Sequence, residues 1–188
     1  MTGDILPFAS RGYFGLLVLL FFARGMDFLS TWVATPNLLL EGNPLARKMG
    51  WKWGALVNIA LCLIFAFWPL TAIIIITAGL LVAARNFHSA WLMRTMGEAA
   101  YRDWILQRLS QTPLALYLAC LLGETALTAL PGAALVWWSA EESIGFSIGC
   151  GILAYAGIVL FYTLLSLWRL RRREVKKEPC IIQDKMNS

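Results

Sequence analysis

The stretch WKWGALVNIALCLIFAFWPLTAIIIITAGLLVAARNFHSAWLM, residues 51–93, decides the fold. It is apolar almost throughout and runs for over 40 residues. A single helix of that length would measure about twice the ~30 Å hydrocarbon core of a bilayer. Pro69 interrupts it, and a proline inside a helix removes a hydrogen bond and clashes with the preceding turn. The stretch therefore reads as two spans, 51–67 and 70–93, joined by a tight hairpin at Trp68-Pro69.

The same pattern extends in both directions. An apolar block covers 13–34 and ends at Thr35-Pro36, where the residue before proline is biased away from helix. Two more cover 113–138, with a bend expected at Pro131-Gly132, and 144–168. Of the 188 residues 59% are hydrophobic and only 14% charged, too little polar surface for a soluble domain of this size. The blocks are long rather than short and alternating, which excludes a β-barrel pattern. Residues 1–168 are thus expected to form one all-α membrane domain, a polytopic helix bundle of about five transmembrane helices. Residues 169–188 form a polar, basic cytoplasmic tail expected to lack fixed structure.

Two segments outside the spans also have a pattern. Asn43-Pro44 reads as a helix start, asparagine capping and proline at the first position, and Gly50 closes that short helix. In 97–110, Tyr101, Trp104, Ile105 and Leu109 share one side while Glu98, Arg102 and Arg108 lie elsewhere, the spacing of an amphipathic helix on the membrane surface.

Basic residues set the expected orientation. Arg47, Lys48 and Lys52 flank the first loop, Arg94, Arg102 and Arg108 the third, and six basic residues follow the last span between Arg169 and Lys177. With five spans these regions share one side, which the positive-inside bias makes cytoplasmic. The N-terminus is then outside, the C-terminus inside, and the membrane is the cell's inner (plasma) membrane. The first span is expected to stay as a helix, because Asp4 precedes it and no basic n-region does. The net charge of +5 reads as an anchor to anionic lipid, and no nucleic-acid-binding pattern accompanies it.

Charged side chains inside a bilayer cost about 2.5–3.5 kcal/mol each on insertion scales, and they and the amides among them mark candidate sites. Arg24 and Asp27 lie in the first span, Asn58 in the second, Arg85, Asn86 and His88 in the third, and Glu124 in the fourth. At 1.5 Å per residue they sit roughly 9–16 Å from the cytoplasmic helix ends, so they converge on that half of the membrane. Asp27 and His88 are the acid–base candidates; Arg24, Asn58, Arg85, Asn86, Glu124, Glu41 and Asn43 are candidate ligand contacts. Asp27 is expected to face Arg85 across the bundle, with Arg24 as the competing partner one turn away and Glu124 as the other carboxylate open to Arg85. One histidine and scattered cysteines exclude a zinc site of the usual kind. A hard-cation site using Asp27, Glu41 or Glu124 stays open, and no cofactor is implied. The opposite reading is a non-catalytic subunit whose buried charges only fix helix packing or partner assembly.

The segment Asp27…Ser30-Thr31…Glu41-Gly42-Asn43-Pro44-Leu45 resembles an uncharacterised family of small prokaryotic membrane proteins. Its members carry an aspartate and a Ser/Thr-Thr pair in one span, then a Glu-x-Asn-Pro-Leu loop. The resemblance covers roughly residues 15–69 and implies a shared hairpin unit. Asn58 stands where many members have a lysine. Signatures of known membrane enzymes are absent: HExxH, GxSxG, the P-loop, the tandem aspartates of CDP-alcohol phosphotransferases, and rhomboid serine and histidine motifs. Glu141-Glu142 lacks the arginine of CAAX-type proteases. Gly145 and Gly149 form a GxxxG face for a close helix contact, within the chain, with a second copy, or with a membrane partner.

Overall fold

The structure is a computed structural model that describes residues 5–186, with side chains through residue 169. It contains six helices and, among the described residues, no strand: α1 (Arg11–Ala34), α2 (Pro44–Phe65), α3 (Pro69–Met96), α4 (Glu98–Gln111), α5 (Leu114–Trp138) and α6 (Ile144–Met186).

The boundaries have local causes. Ser10 caps α1 by accepting a hydrogen bond from the Tyr13 N–H at 3.1 Å. Thr35, ahead of Pro36, leaves the helical region at φ −145°, ψ 76°. Asn43 caps α2 through the Leu45 N–H at 3.0 Å, with Pro44 at the first helical position. Gly50 then breaks α2 at φ 67°, where a side chain would be strained, so the short basic turn and the apolar part from Trp51 onward are separate pieces. Pro69 opens α3, and Gly97 at φ 80° turns the chain into α4. The last helix runs on to Met186, through the stretch expected to lack structure, while the side chains of the basic tail and Cys180 lie outside the described residues.

Among the described residues, four helices are long and apolar enough to cross a membrane: α1, α3, α5 and α6 up to Arg169. Large apolar side chains such as Phe22, Leu127, Leu130 and Phe161 point outward from them. The bundle is inverted relative to a soluble protein, as a lipid-facing one must be. The apolar part of α2, from Trp51 to Phe65, spans about 22 Å at 1.5 Å per residue, so it is shorter than the other four.

Helix directions follow from the pairings. Ala23 meets Gly79, and Ser30 meets Asn86 56 positions further on, so α1 and α3 run parallel. Helix α2 runs the other way. The Tyr13 hydroxyl donates to the Leu63 carbonyl at 3.3 Å, and the Trp51 indole N–H donates to the Pro36 carbonyl at 2.9 Å. Two parallel helices joined through α2 require α2 to return the chain from the Ala34 end to the Tyr13 end. Helices α5 and α6 form an antiparallel pair in which Gly149 meets Gly132, and α6 also packs on α3 where Gly151 meets Thr77 and the Ile74 carbonyl. The Gly145–Gly149 stripe therefore has α5 of the same chain against Gly149, while Gly145 faces the Ser139 and Ser143 side chains.

The tightest core lies at the Tyr13 end, where Tyr13, Leu20, Cys62, Ala66 and Ala72 are buried together. The Ala34 end is built from polar contacts. In α4 the side expected to be apolar is half-buried and the polar side exposed, except for Glu98, which is buried.

Candidate functional site

Helices α1, α2, α3 and α6, together with the loop before α2, line a partly open cavity of about 580 Å³ toward the Ala34 end. Seven of the nine expected site residues line it: Arg24, Asp27, Glu41, Asn43, Asn58, Arg85 and Asn86. The two pieces of the Asp27…Thr31 and Glu41-Gly42-Asn43 motif come from different elements, yet both reach this space.

Arg24 ties the site together. Its Nη1 lies 3.0 Å from Asp27 Oδ2 one turn along α1, and its Nε donates to Asn58 Oδ1 at 2.6 Å across to α2. Asn58 in turn donates from Nδ2 to the Gly54 carbonyl at 2.8 Å, which fixes its amide orientation. On the other side of α1, Asn86 Nδ2 lies 3.3 Å from both Ser30 Oγ and Thr31 Oγ1. Among the described residues no buried side-chain nitrogen or oxygen lacks a partner. A satisfied polar network in a low-dielectric setting is rigid, and removing one member exposes the others to the full desolvation cost.

The expected pairing of Asp27 with Arg85 does not form. Asp27 is taken by Arg24, and Arg85 pairs with Glu124 on α5. The reason is lateral geometry. Arg24 shares a helix face with Asp27 at i, i+3, whereas the long Arg85 side chain reaches across to Glu124 on α5, a helix that packs on α6 rather than on α3. Glu124 and Arg85 are both substantially exposed, and Glu124 lies outside the cavity lining. His88 also lies outside it, on an exposed face of α3. Val82, Arg85, Asn86, Ser89 and Met93 form the lining stripe. At 100° per residue His88 falls about 120° from the centre of that stripe. Arg85 and Ser89 thus share the cavity face, and His88 does not. The open hard-cation reading loses Glu124 for the same reason, and among the described residues no group of three or more His, Cys, Asp or Glu side chains comes together.

The loop over the cavity is held by a residue that sequence reasoning placed only on the polar side of a surface helix. Glu98 is 8% exposed and accepts four hydrogen bonds. They come from the Thr35 hydroxyl at 2.8 Å, the Asn37 N–H at 2.8 Å, the Asn37 amide at 3.1 Å and the Leu39 N–H at 3.0 Å. Burial pushes the Glu98 carboxyl up, but these four donors outweigh it and hold the group below the ordinary glutamate range. Glu41 goes the other way. Burial raises it, the Asn43 N–H donated to its Oε1 at 2.7 Å pulls back, and the nearby Asp27 charge raises it further. Donors freed by Pro36, just after a helix end, were the available signal for an acidic partner such as Glu98.

The arrangement offers two guanidinium groups, two carboxylates and three amides around a space large enough for a head group or small anion, beside an apolar wall. No family model, curated protein or solved structure matches the chain.

Proposed function

We propose that this chain is a five-span protein of the cell's inner (plasma) membrane. Its intramembrane pocket, in the cytoplasmic half, takes up the head group of an anionic lipid or a small anion. The observation that carries this reading is the convergence of Asp27 and Thr31 from α1 with Glu41, Gly42 and Asn43 from the loop on one cavity. Residues split between two elements and gathered on one space are what a ligand site requires, and capping chemistry alone does not require it. The same motif is the part of the chain that resembles the small prokaryotic membrane family, whose hairpin unit we take this to be.

The fifth crossing is α2. Its support is the parallel run of α1 and α3, and the apolar side chains Trp53, Leu56 and Ile64 on its outer face. The Ala34 end collects Arg47, Lys48 and Arg94, the last lying over the Trp32 ring at 5.8 Å, so this end is the cytoplasmic one on the positive-inside rule. Reporter fusions check it. An alkaline-phosphatase-type reporter is active at the N-terminus or in the loop at Glu141 and silent at Ser188, and activity at Ser188 rules the orientation out.

Within the pocket, proton transfer falls to Asp27, since His88 lies outside. Purification from native membrane followed by mass spectrometry tests ligand uptake. Wild type carries a bound lipid or anion, and Asp27→Asn and Arg24→Gln lose it while remaining folded. A second reading is favoured by one observation: Arg24 already pairs with Asp27 and Arg85 with Glu124. In that reading the chain is a non-catalytic subunit whose pairs fix helix packing, and a membrane partner or second copy docks through the Gly145/Gly149 region. The same two variants then lose stability or partner, with no ligand bound in wild type.

A further inference from the structure

The pocket has a side opening. Helices α2 and α6 both contribute to its wall, yet among the described residues they share no packed interface. The side chains at this gap are apolar and face two ways: Val57 and Leu61 on α2 are each 39% exposed, and Ile158 on α6 is 43% exposed, while all three line the cavity. The end toward the basic surface is roofed instead. The loop from Thr35 to Asn43 is clamped by Glu98 on one side. On the other it reaches α6, where a Cβ on Gly42 would sit 3.9 Å from Ser166 Oγ.

We infer that the ligand is a membrane phospholipid that enters sideways from the cytoplasmic leaflet between α2 and α6. Its phosphate group seats among Arg24, Arg85 and the amides, and its acyl chain stays in the gap. This rests on the pocket reading above and narrows it from either ligand source to the lipid. A water-soluble anion would have to pass the loop, which Glu98 holds in place. A lipid needs no such opening, because a gap lined by aliphatic side chains is continuous with the acyl region and costs its tail no apolar burial. The polar and apolar parts of the cavity are arranged as an amphiphile is, with charge toward the surface and an exit into hydrocarbon beside it.

The test uses the full chain in nanodiscs of phosphatidylcholine containing phosphatidylglycerol. The readouts are the lipid retained after detergent extraction, by native mass spectrometry, and binding of glycerol 3-phosphate as a soluble head group. Val57→Trp combined with Ile158→Trp fills the gap from positions already exposed, so the fold tolerates it. Leu127→Trp, on the outer face of α5, is the control. Wild type and the control retain phosphatidylglycerol, the double variant loses about ten-fold of it, and glycerol 3-phosphate does not displace it. Equal retention in the double variant, or glycerol 3-phosphate binding as tightly as the lipid, overturns sideways entry while leaving the pocket standing. Absence of both ligands from wild type overturns the pocket reading and this inference with it.

Discussion

The α5–α6 pair and the α1–α2 pair solve the same problem, joining two antiparallel helices, with opposite materials. Gly132 and Gly149 bring the α5 and α6 backbones together, so that a Cβ added to Gly149 would lie 2.7 Å from the Gly132 carbonyl oxygen. Helices α1 and α2 stand further apart and are bridged by Arg24, Asp27 and Asn58. Small residues give a dry contact with no room for a ligand. Charged side chains need space, and the space they hold open is the cavity. The comparison teaches that the polar groups are placed where the bundle is loosest, an arrangement suited to binding more than to stability.

The largest expected effect breaks the tight side. Gly149→Leu destabilises the protein by about 3 kcal/mol or more, at the upper end of overpacking costs, because the atoms it meets include backbone that cannot swing aside. Gly157→Leu on the same helix, where nothing lies within 4 Å, is close to neutral. Thermal unfolding in detergent compares the two, and equal losses would mean that the glycines are not in the contact described.

On the loose side, Arg24→Ala strands Asp27 in the membrane interior. A loss of roughly 3 kcal/mol is expected, as for other buried pairs with one member removed. Removing Asp27 as well costs less than the sum of the two single changes. Asp27 and Arg85, with no shared partner, are additive to within about 0.5 kcal/mol. Double-mutant cycles read from unfolding midpoints settle which arginine Asp27 uses.

These two experiments also mark how far the sequence could be read. Helix positions were legible because each is written locally, in an apolar block ended by Pro36, Pro69 or a turn residue such as Gly97, and the boundaries agree with their expected places to within a few residues except at the end of α6, which runs on to Met186. The cavity residues were legible as polar intrusions in those blocks. Which helix stands beside which was not. Arg85 finds Glu124 and not Asp27 because α3 and α5 both pack on α6, within reach of the arginine side chain, and periodicity along one helix carries no such lateral information. Glu98 was hidden for a related reason. It looks like one more surface charge, until the turn at Gly97 aims it back at the donors of residues 35–39.

Glu98 sharpens the comparison at intermediate size, since it anchors only the loose half. Glu98→Ala leaves the buried Thr35 hydroxyl without its acceptor and releases the Asn37 and Leu39 donors, at a cost of about 1–3 kcal/mol. The pH dependence has a definite sign. The folded carboxyl titrates below the unfolded value near 4.5, so its contribution is complete above that value and fades as the pH falls through the lower folded pKa. Melting curves of wild type and Glu98→Gln therefore differ near neutral pH and converge in acid. A constant difference at every pH would mean that the ionised carboxylate is not what holds the loop.

The smallest effect belongs to His88, the residue that chemistry alone would rank first as an acid–base group. Its position on α3 puts it about 120° from the cavity stripe, on an exposed face. There it has no part in the Arg24–Asp27–Asn58 network and no route to a ligand bound among Arg85 and Asn86. His88→Ala is expected to change stability by no more than about 0.5 kcal/mol, as for other side chains outside a packed or paired site. Lipid retention should match wild type in the same nanodiscs. A loss of ligand comparable to that of Asp27→Asn would place His88 inside the pocket. Helix α3 would then have to be rotated by about a third of a turn, which would also pull Asn86 from Ser30 and Thr31 and undo the α1–α3 register on which the return path through α2 depends.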